Sequence, residues 1–478
     1  MATHPHIPTL RMGRNYRSLK RNPINDFRSG DLMLEVSSVN AGVIRRDMIQ
    51  RLQEARNALK AIPSARLLEI CAEAGDYFRN KSLPLGDEGH TQSAAEYVRS
   101  LSSTSGLPHV MVERNMDKIT HVLTNMKDIL AGLSRGLDLE VLETGAGTQH
   151  GVPVAYFPTT NSMGIVMPSN SPAVNSLWVP SIALKIPVVI KPGREEPWTP
   201  YRLIQAFIAA GAPAEAFGFY PTDHEGSTAI MERCGRAMIF GDANTTAPYA
   251  NNPKFQIHGP GFSKIIIGDD MIERWPEFID IIARSVSDNG GRSCINASAI
   301  LVPKYGKEIA RALAEKLGPV KPTAADDPNA RLSGFANPKM AEYMDGAIEA
   351  DLSDGAIEMT AEYRDGPRKV VVDGGTYVRP TIVYCPSWDH PLANREFLFP
   401  YASVVEVPQA EVIDTMGPTL VVTAITEDEL YINRLMDADN IDRLNIGPIS
   451  TMKISWDQPH EGNLFEFLYR RRSYERAA

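Results

Sequence analysis

Apolar residues recur at helical intervals through the first third of this chain. Beyond Gly164 they gather into short runs separated by helical stretches. In residues 47–62, Met48, Leu52, Ala55 and Leu59 fall on one helical face, and Pro63 stops the pattern. Ser64 is placed to cap a second helix through Leu67, Leu68 and Cys71 towards Phe78. Residues 116–133 predict another amphipathic helix. Residues 137–157 change character: alternation around Gly145-Ala146-Gly147 and His150-Gly151-Val152-Pro153 predicts a hairpin long enough to pair with something else.

From Gly164 the pattern is strand, helix, strand. Strands are expected at 164–167, 187–190, 218–220 and 237–240, with helices at 175–184, 201–210 and 227–234 between them. Such alternation implies a parallel sheet, and parallel sheets bind ligands at the carboxyl ends of their strands. Asn170, Lys191 and Gly241 follow those ends. A lone Lys-Pro or Gly after a strand is common, but three in successive turns form a pattern.

Further along, SDNGGRSCINA at 287–297 sets a cysteine behind Gly290-Gly291 and ahead of the apolar run 299–302. A thiol on a tight glycine turn before a buried strand is a candidate nucleophile, because glycine lets the backbone approach a substrate closely. Cysteines are also ordinary core residues. On these residues alone Cys294 fits both roles.

A chain of 478 residues exceeds one ordinary core and implies two or three domains. Its 43% hydrophobic and 22% charged residues are globular values. The net charge of −9 argues against general nucleic-acid binding. Cys71, Cys234, Cys294 and Cys385 show neither CxxC nor Cys/His ligand spacing, so neither a disulfide framework nor a metal site is expected. That pattern suits a reducing cytoplasm. No run reaches the roughly 18 apolar residues of a membrane span, and the start lacks a signal-peptide apolar core. The start is Arg-rich and free of acids until Asp26, like a transit peptide, but Pro5 and Pro8 count against that. A cytoplasmic protein is expected.

Five motifs then occur in order: PSNSP at 168–172, IKP at 190–192, FG at 240–241, GGRSC at 290–294 and NREFLFP at 394–400. With PTIV at 380–383 and GPIS near Gly447, the chain resembles the aldehyde dehydrogenase superfamily along nearly its whole length. The resemblance implies an α/β fold: a Rossmann-like NAD(P)-binding domain (1–135 and 158–262), an α/β catalytic domain (263–443), and a β oligomerisation arm with tail (136–157 and 444–478). The hairpin at 137–157 and the segment near 445–456 would form the arm of a homodimer or homotetramer. Cys294 matches the cysteine that attacks the carbonyl carbon. Asn170 matches the amide that stabilises the oxyanion with the Cys294 N–H. Lys191 matches the lysine on the adenosine ribose, Glu396 the glutamate on the nicotinamide ribose, and Gly241, Gly259 and Gly261 close backbone approaches to the cofactor. The bland alternatives are a turn asparagine at 170 and surface charges at Lys191 and Glu396.

Departures from the family pattern carry further expectations. Hydrolytic members activate water with the glutamate of a Glu-Leu-Gly-Gly motif, and here the stretch is Ile257-His258-Gly259-Pro260-Gly261. The Gly-Pro-Gly form resembles the CoA-acylating branch, which includes acyl-CoA reductases. Chemistry points the same way: water has a pKa near 15.7 and needs a base or metal, whereas a thiol with a pKa of about 8.5 is already a few per cent thiolate. The rival is His258 acting as general base in place of the glutamate. Lys191 is followed by Pro192-Gly193-Arg194, where NAD-preferring members often place a glutamate three residues on. Arg194 would pair with a 2′-phosphate and favours NADP(H), while Glu195 and Glu196 are near enough to favour NAD. Arg292 replaces a common glutamine, and would lower the thiol pKa, meet an acidic substrate group or simply face solvent. His460 and Asn463 would line the acyl pocket by family analogy, and Arg470 to Arg472 would meet CoA phosphates or remain solvated.

The expectation is a CoA-acylating aldehyde dehydrogenase, interconverting aldehyde plus CoA with acyl-CoA through a Cys294 thioester, with NAD(P) as cofactor and coenzyme A as co-substrate. The alternatives are a non-acylating enzyme that forms a carboxylic acid, and a catalytically silent binding protein with the same fold. Joint retention of Cys294, Asn170, Lys191 and Glu396 speaks against the last.

Overall fold

The computed structural model describes residues 4–87, 89–475 and 477. The chain forms two compact units: Met1–Thr104 with Val112–His258 and Ser455–Ala478, and Ser105–Met111 with Gly259–Ile454. In the first, strands Met163–Val166, Val188–Lys191 and Phe217–Phe219 run parallel, and Arg236–Phe240 and Phe255–His258 extend the sheet from the other side of Met163–Val166. Strand order therefore reverses between Met163–Val166 and Arg236–Phe240, the switch point at which such sheets open a crevice. Val166 lies opposite Lys191 and Ile239, and Phe240 opposite His258. The segments carrying Asn170, Lys191, Gly241 and His258 thus leave from one edge. Thr9–Arg11 and Arg14–Tyr16 complete the seven strands as an antiparallel ribbon.

Helix Ala41–Lys60 starts before the expected residue 47, because the Asn40 side chain accepts from the Val43 N–H at 3.1 Å. Ser64 is not a cap. It is the first residue of helix Ser64–Asn80, its N–H donates to Glu143 and its hydroxyl to the Leu139 carbonyl. The expected helix at 116–133 is two helices, His109–Thr124 and Met126–Leu133, parted at Asn125, whose side-chain amide donates to the His121 carbonyl at 2.8 Å. Residues 175–184 are likewise divided into a 3-10 turn, Pro172–Leu177, and a short helix, Pro180–Ala183, because Pro180 cannot continue the preceding hydrogen-bond ladder.

The hairpin is Ala146–Gln149 with Val152–Pro158, and its third strand is Tyr469–Arg472, antiparallel to Val152–Pro158. Residues 445–456 do not supply that strand. Asn445 belongs instead to Ile441–Ile446, an outer strand of the second unit's sheet.

That second sheet runs Ile357–Glu358, Thr381–Cys385, Tyr401–Glu406, Ala299–Val302, Lys264–Ile267, Thr419–Ile425, Ile441–Ile446, parallel except at its first strand. Alternate residues feed opposite faces. Ile265, Ile300 and Val404 pack under helices Ile279–Ser287 and Gly306–Leu317, while Ile266, Leu301 and Val405 pack with Met344 and Ile348 of helix Pro338–Asp351. Covering both faces explains why Thr419–Ile425 is buried throughout. Among the described residues, no helix is long and apolar enough to cross a membrane.

Candidate active site

In the second unit, helix Ile279–Ser287 runs into a tight turn, Asp288–Gly291, in which Asn289 and Gly290 have φ of 56° and 67°. Gly291 follows at φ 68°, and a Cβ there would strike the backbone joining Phe399 to Pro400. Asn296 fastens the turn: its side-chain oxygen accepts from the Ser293 N–H at 2.9 Å, and its amide donates to the carbonyls of Ser285 at 3.0 Å and Asp288 at 2.9 Å. Cys294 emerges from this frame half-buried, whereas Cys71, Cys234 and Cys385 are buried. Burial pushes each of those three thiols up to about 12, so they are inert at neutral pH. The Ser263 hydroxyl donates to the Cys294 carbonyl at 2.8 Å, and a Cβ on Gly261 would collide with that carbonyl.

Glu396 joins the same group, its carboxylate accepting from the Phe262 N–H at 2.6 Å. Beside it, Lys264 is fully buried and donates to the Phe262 carbonyl at 2.7 Å and the Thr419 hydroxyl at 3.1 Å. Desolvation pulls the Lys264 ammonium down to about 7, and the Glu396 carboxylate opposes that fall. Arg292 points inward, only 6% exposed, and donates to the Ser105 carbonyl at 2.7 Å and to the Gly334 carbonyl, with Phe335 against its guanidinium. Of the roles raised for it, facing solvent does not match this burial. It ties the Cys294 turn to the backbone at Ser105 and Gly334.

In the first unit, the carboxyl edge of the parallel sheet collects the remaining candidates. Asn170 is half-buried, and the turn behind it is held by Asn115, whose side-chain oxygen accepts from the Ser171 hydroxyl at 3.2 Å and the Ala173 N–H at 3.3 Å. Lys191 ends its strand half-buried; burial lowers its pKa and the nearby Glu195 carboxylate raises it. Arg194 is exposed. Glu196 is buried and serves the next helix, accepting from the Thr199 N–H at 2.8 Å and hydroxyl at 2.6 Å, with its carboxyl pushed by burial up to about 8. Of the two acids after Arg194, only Glu195 is placed beside Lys191. Gly241 donates its N–H to the His258 carbonyl at 3.2 Å and precedes a short helix capped by Asp242.

His258 closes its strand 4% exposed, stacked on Phe240 with ring centres 4.5 Å apart. Its Nδ1 is hydrogen-bonded to the Glu461 carboxylate, and its Nε2 has no hydrogen-bond partner among the described residues. His460 stands alongside, its Nε2 4.0 Å from the Glu461 carboxylate.

The aldehyde dehydrogenase family model matches residues 63–419. The chain belongs to the aldehyde dehydrogenase family. The 5-carboxymethyl-2-hydroxymuconate semialdehyde dehydrogenase of Escherichia coli is 26% identical over 259 residues, covering 50% of this chain and 53% of that protein. The acylating methylmalonate-semialdehyde dehydrogenase of Arabidopsis thaliana mitochondria is 23% identical over 304 residues, covering 57% and 48%. The chain thus spans about half the length of these curated relatives. The crystal structure of an indole-3-acetaldehyde dehydrogenase complexed with NAD+ superposes with a TM-score of 0.81 at 17% identity, over 99% of this chain and 97% of that one. That likeness establishes the aldehyde dehydrogenase fold.

Within this family fold, the structure groups Cys294, Gly261 and Glu396 in one unit, and Lys191, Gly241, His258 and the Asn170 turn along one sheet edge in the other. Gly259, half-buried, opens the segment that leads to Gly261. Asn463 is a helix cap, accepting from the Phe465 N–H at 2.9 Å and donating to the Leu133 carbonyl at 2.8 Å. The local signal for this cap was an asparagine directly before an apolar run. Arg470 to Arg472 lie in the arm strand, with Arg472 over the Phe157 ring at 4.3 Å. Asn115, Ser263, Lys264, Asn296 and Glu461 belong to these clusters and carried no expectation.

Proposed function

We propose that this chain interconverts an aldehyde and an acyl group through a thioester on Cys294, with NAD(P) as cofactor. The observation that carries the reading is the Cys294 frame: the one thiol of four that is not buried stands on a turn that only glycine backbone permits. The cofactor fits the carboxyl edge of the parallel sheet, where the strand order reverses and Lys191, Gly241 and Glu195 sit. Lys191 and Glu195 would hold the adenosine ribose and Glu396 the nicotinamide ribose. Bound there, the nicotinamide supplies the hydride acceptor or donor.

Cys294 adds as thiolate to the carbonyl carbon, and the Asn170 amide with the Cys294 N–H steadies the resulting oxyanion. As the oxyanion re-forms the carbonyl, the carbon–hydrogen bond breaks with loss of hydride and the acyl group stays on sulfur. We assign coenzyme A as its acceptor because position 258 carries no carboxylate and the Gly259-Pro260-Gly261 segment departs from the hydrolytic motif. Release to water is the second reading, favoured by the open Nε2 of His258. Exposed Arg194 supports NADP, and Glu195 beside Lys191 supports NAD, so use of both is the proposal. A thiol mechanism requires a reducing compartment such as the cytoplasm. The hairpin sheet that contains Tyr469–Arg472 would join copies into a dimer or tetramer.

The test is a panel of short aliphatic and aromatic aldehydes with NAD+ or NADP+, with and without coenzyme A. Reduction of the nicotinamide that requires CoA and yields acyl-CoA is the expected result. Carboxylic acid formed without CoA overturns the acylating assignment.

A further inference from the structure

Lys264 carries its amine where solvent cannot reach it. It opens strand Lys264–Ile267 in the second unit with no exposed surface, and its Nζ stands over the rings of Phe262 and Trp388 at 5.8 Å and 5.6 Å. An apolar side chain of similar length would fill such a site without the cost of desolvating a charge. What the ammonium grips is therefore informative. Its acceptors are two neutral oxygens, the Phe262 carbonyl at 2.7 Å and the Thr419 hydroxyl at 3.1 Å, and Thr419 donates in turn to the Gly417 carbonyl at 3.0 Å.

Phe262 adopts φ of 44°, a left-handed conformation unfavourable for phenylalanine. The peptide before its Cα points the Gly261 carbonyl at the Leu420 N–H, 2.8 Å away, and the Phe262 N–H at the Glu396 carboxylate, 2.6 Å away. The peptide after its Cα points the Phe262 carbonyl at Lys264. The strained twist lies between these two planes. If the second carbonyl is released, Phe262 can relax towards ordinary backbone, and its N–H turns off the carboxylate. Glu396 also acts on the lysine directly, as the charged group whose field opposes the fall of the Lys264 pKa on burial.

We propose that Lys264 is a positioning residue for Glu396: its ammonium holds the twist at Phe262 that keeps the backbone N–H on the carboxylate, and so fixes that carboxylate for the nicotinamide ribose. The inference rests on the reading of Glu396 as the ribose ligand, but the twist at Phe262 belongs to the protein without cofactor. Lys264 touches neither ribose nor substrate in this role. It acts through one peptide on one carboxylate.

The experiment has two readouts, neither of which is turnover. The first is hydrogen exchange at the Phe262 amide in the protein without cofactor. Lys264→Met fills similar space without a donor and is expected to speed that exchange by about 10-fold to 100-fold, the range for losing a hydrogen bond to a charged group. Thr419→Val keeps the lysine but removes its second acceptor. It should speed exchange less, and it stands in should Lys264→Met fail to fold. The second readout is the Kd of NADH, followed by its fluorescence. Lys264→Met and Glu396→Gln are each expected to weaken NADH, and the double variant to bind no worse than Glu396→Gln, because the lysine acts through that carboxylate. A lysine that served stability alone would add its own loss. Exchange at Phe262 unchanged in the Lys264 and Thr419 variants, or losses of NADH affinity that add in the double variant, overturns the proposal. Glu396→Gln binding NADH as tightly as wild type would instead sink the ribose reading, a separate failure, while exchange at Phe262 still decides whether Lys264 holds the twist.

Discussion

The Cys294 turn and the His258–Glu461 pair are two ways of building reactive groups, and they differ in where the information lies. The turn is local. Its glycines, Asn289, Ser293, Cys294 and Asn296 all fall within one short stretch, in which Asn289 donates to Ser293 and Ser293 to Asn296. The pair is assembled: a strand end provides the imidazole and a left-handed turn near the C-terminal end of the sequence provides the carboxylate. A local frame is legible as a motif, whereas an assembled pair becomes visible only when the chain is folded.

Three substitutions sharpen that contrast. The largest effect is expected from Cys294→Ala, which should reduce turnover by about 10⁴-fold to 10⁶-fold, the range for loss of a nucleophile or its partners. Steady-state assay with any accepted aldehyde checks it, and residual turnover within tenfold of wild type would break the comparison at its root. Next, Gly291→Ala should destabilise the second unit by roughly 1–3 kcal/mol, through a positive φ and a clash with the Phe399–Pro400 backbone. Denaturant unfolding measures this, and an unchanged midpoint would mean the turn is looser than its geometry implies.

The smallest effect concerns Glu196, the acid that sequence proximity placed with Glu195 near the cofactor. Its pKa, raised from 4.5 to about 8 on burial, means that the folded state holds a proton which the unfolded state releases. The stability this group contributes is therefore complete below about pH 4.5 and lost as pH rises to about 8. Glu196→Gln should accordingly melt close to wild type at about pH 5 and a few degrees higher at about pH 8. Thermal melts at both values test the sign, and the opposite order would place Glu196 ionised in the folded protein.

Much of the fold was readable because strand and helix periods are local. The run 299–302 is a strand with those bounds, and four of the five parallel strands of the first unit lie within a residue or two of their expected places, Phe255–His258 being the one that carried no expectation. Errors arose where a tertiary partner outweighed local pattern. Ser64 donates to Glu143 and Leu139 rather than capping, and the hairpin found its third strand at Tyr469–Arg472 because nothing in that arginine-rich run advertises pairing. The same limit governed the site. Cys294 and Asn170 stand in contiguous motifs, but the absence of a carboxylate at position 258 gave no hint that Glu461 would supply one. Arg292 was read by its charge, and burial redirected that charge to the backbone carbonyls of Ser105 and Gly334.

The most direct test is to trap the acyl enzyme. Acid quench shortly after mixing with p-nitrophenyl acetate, followed by peptide mass mapping, should find a single acetyl group on Cys294 and none on Cys71, Cys234 or Cys385. Acetylation at another residue, or turnover with no adduct at Cys294, would contradict the account.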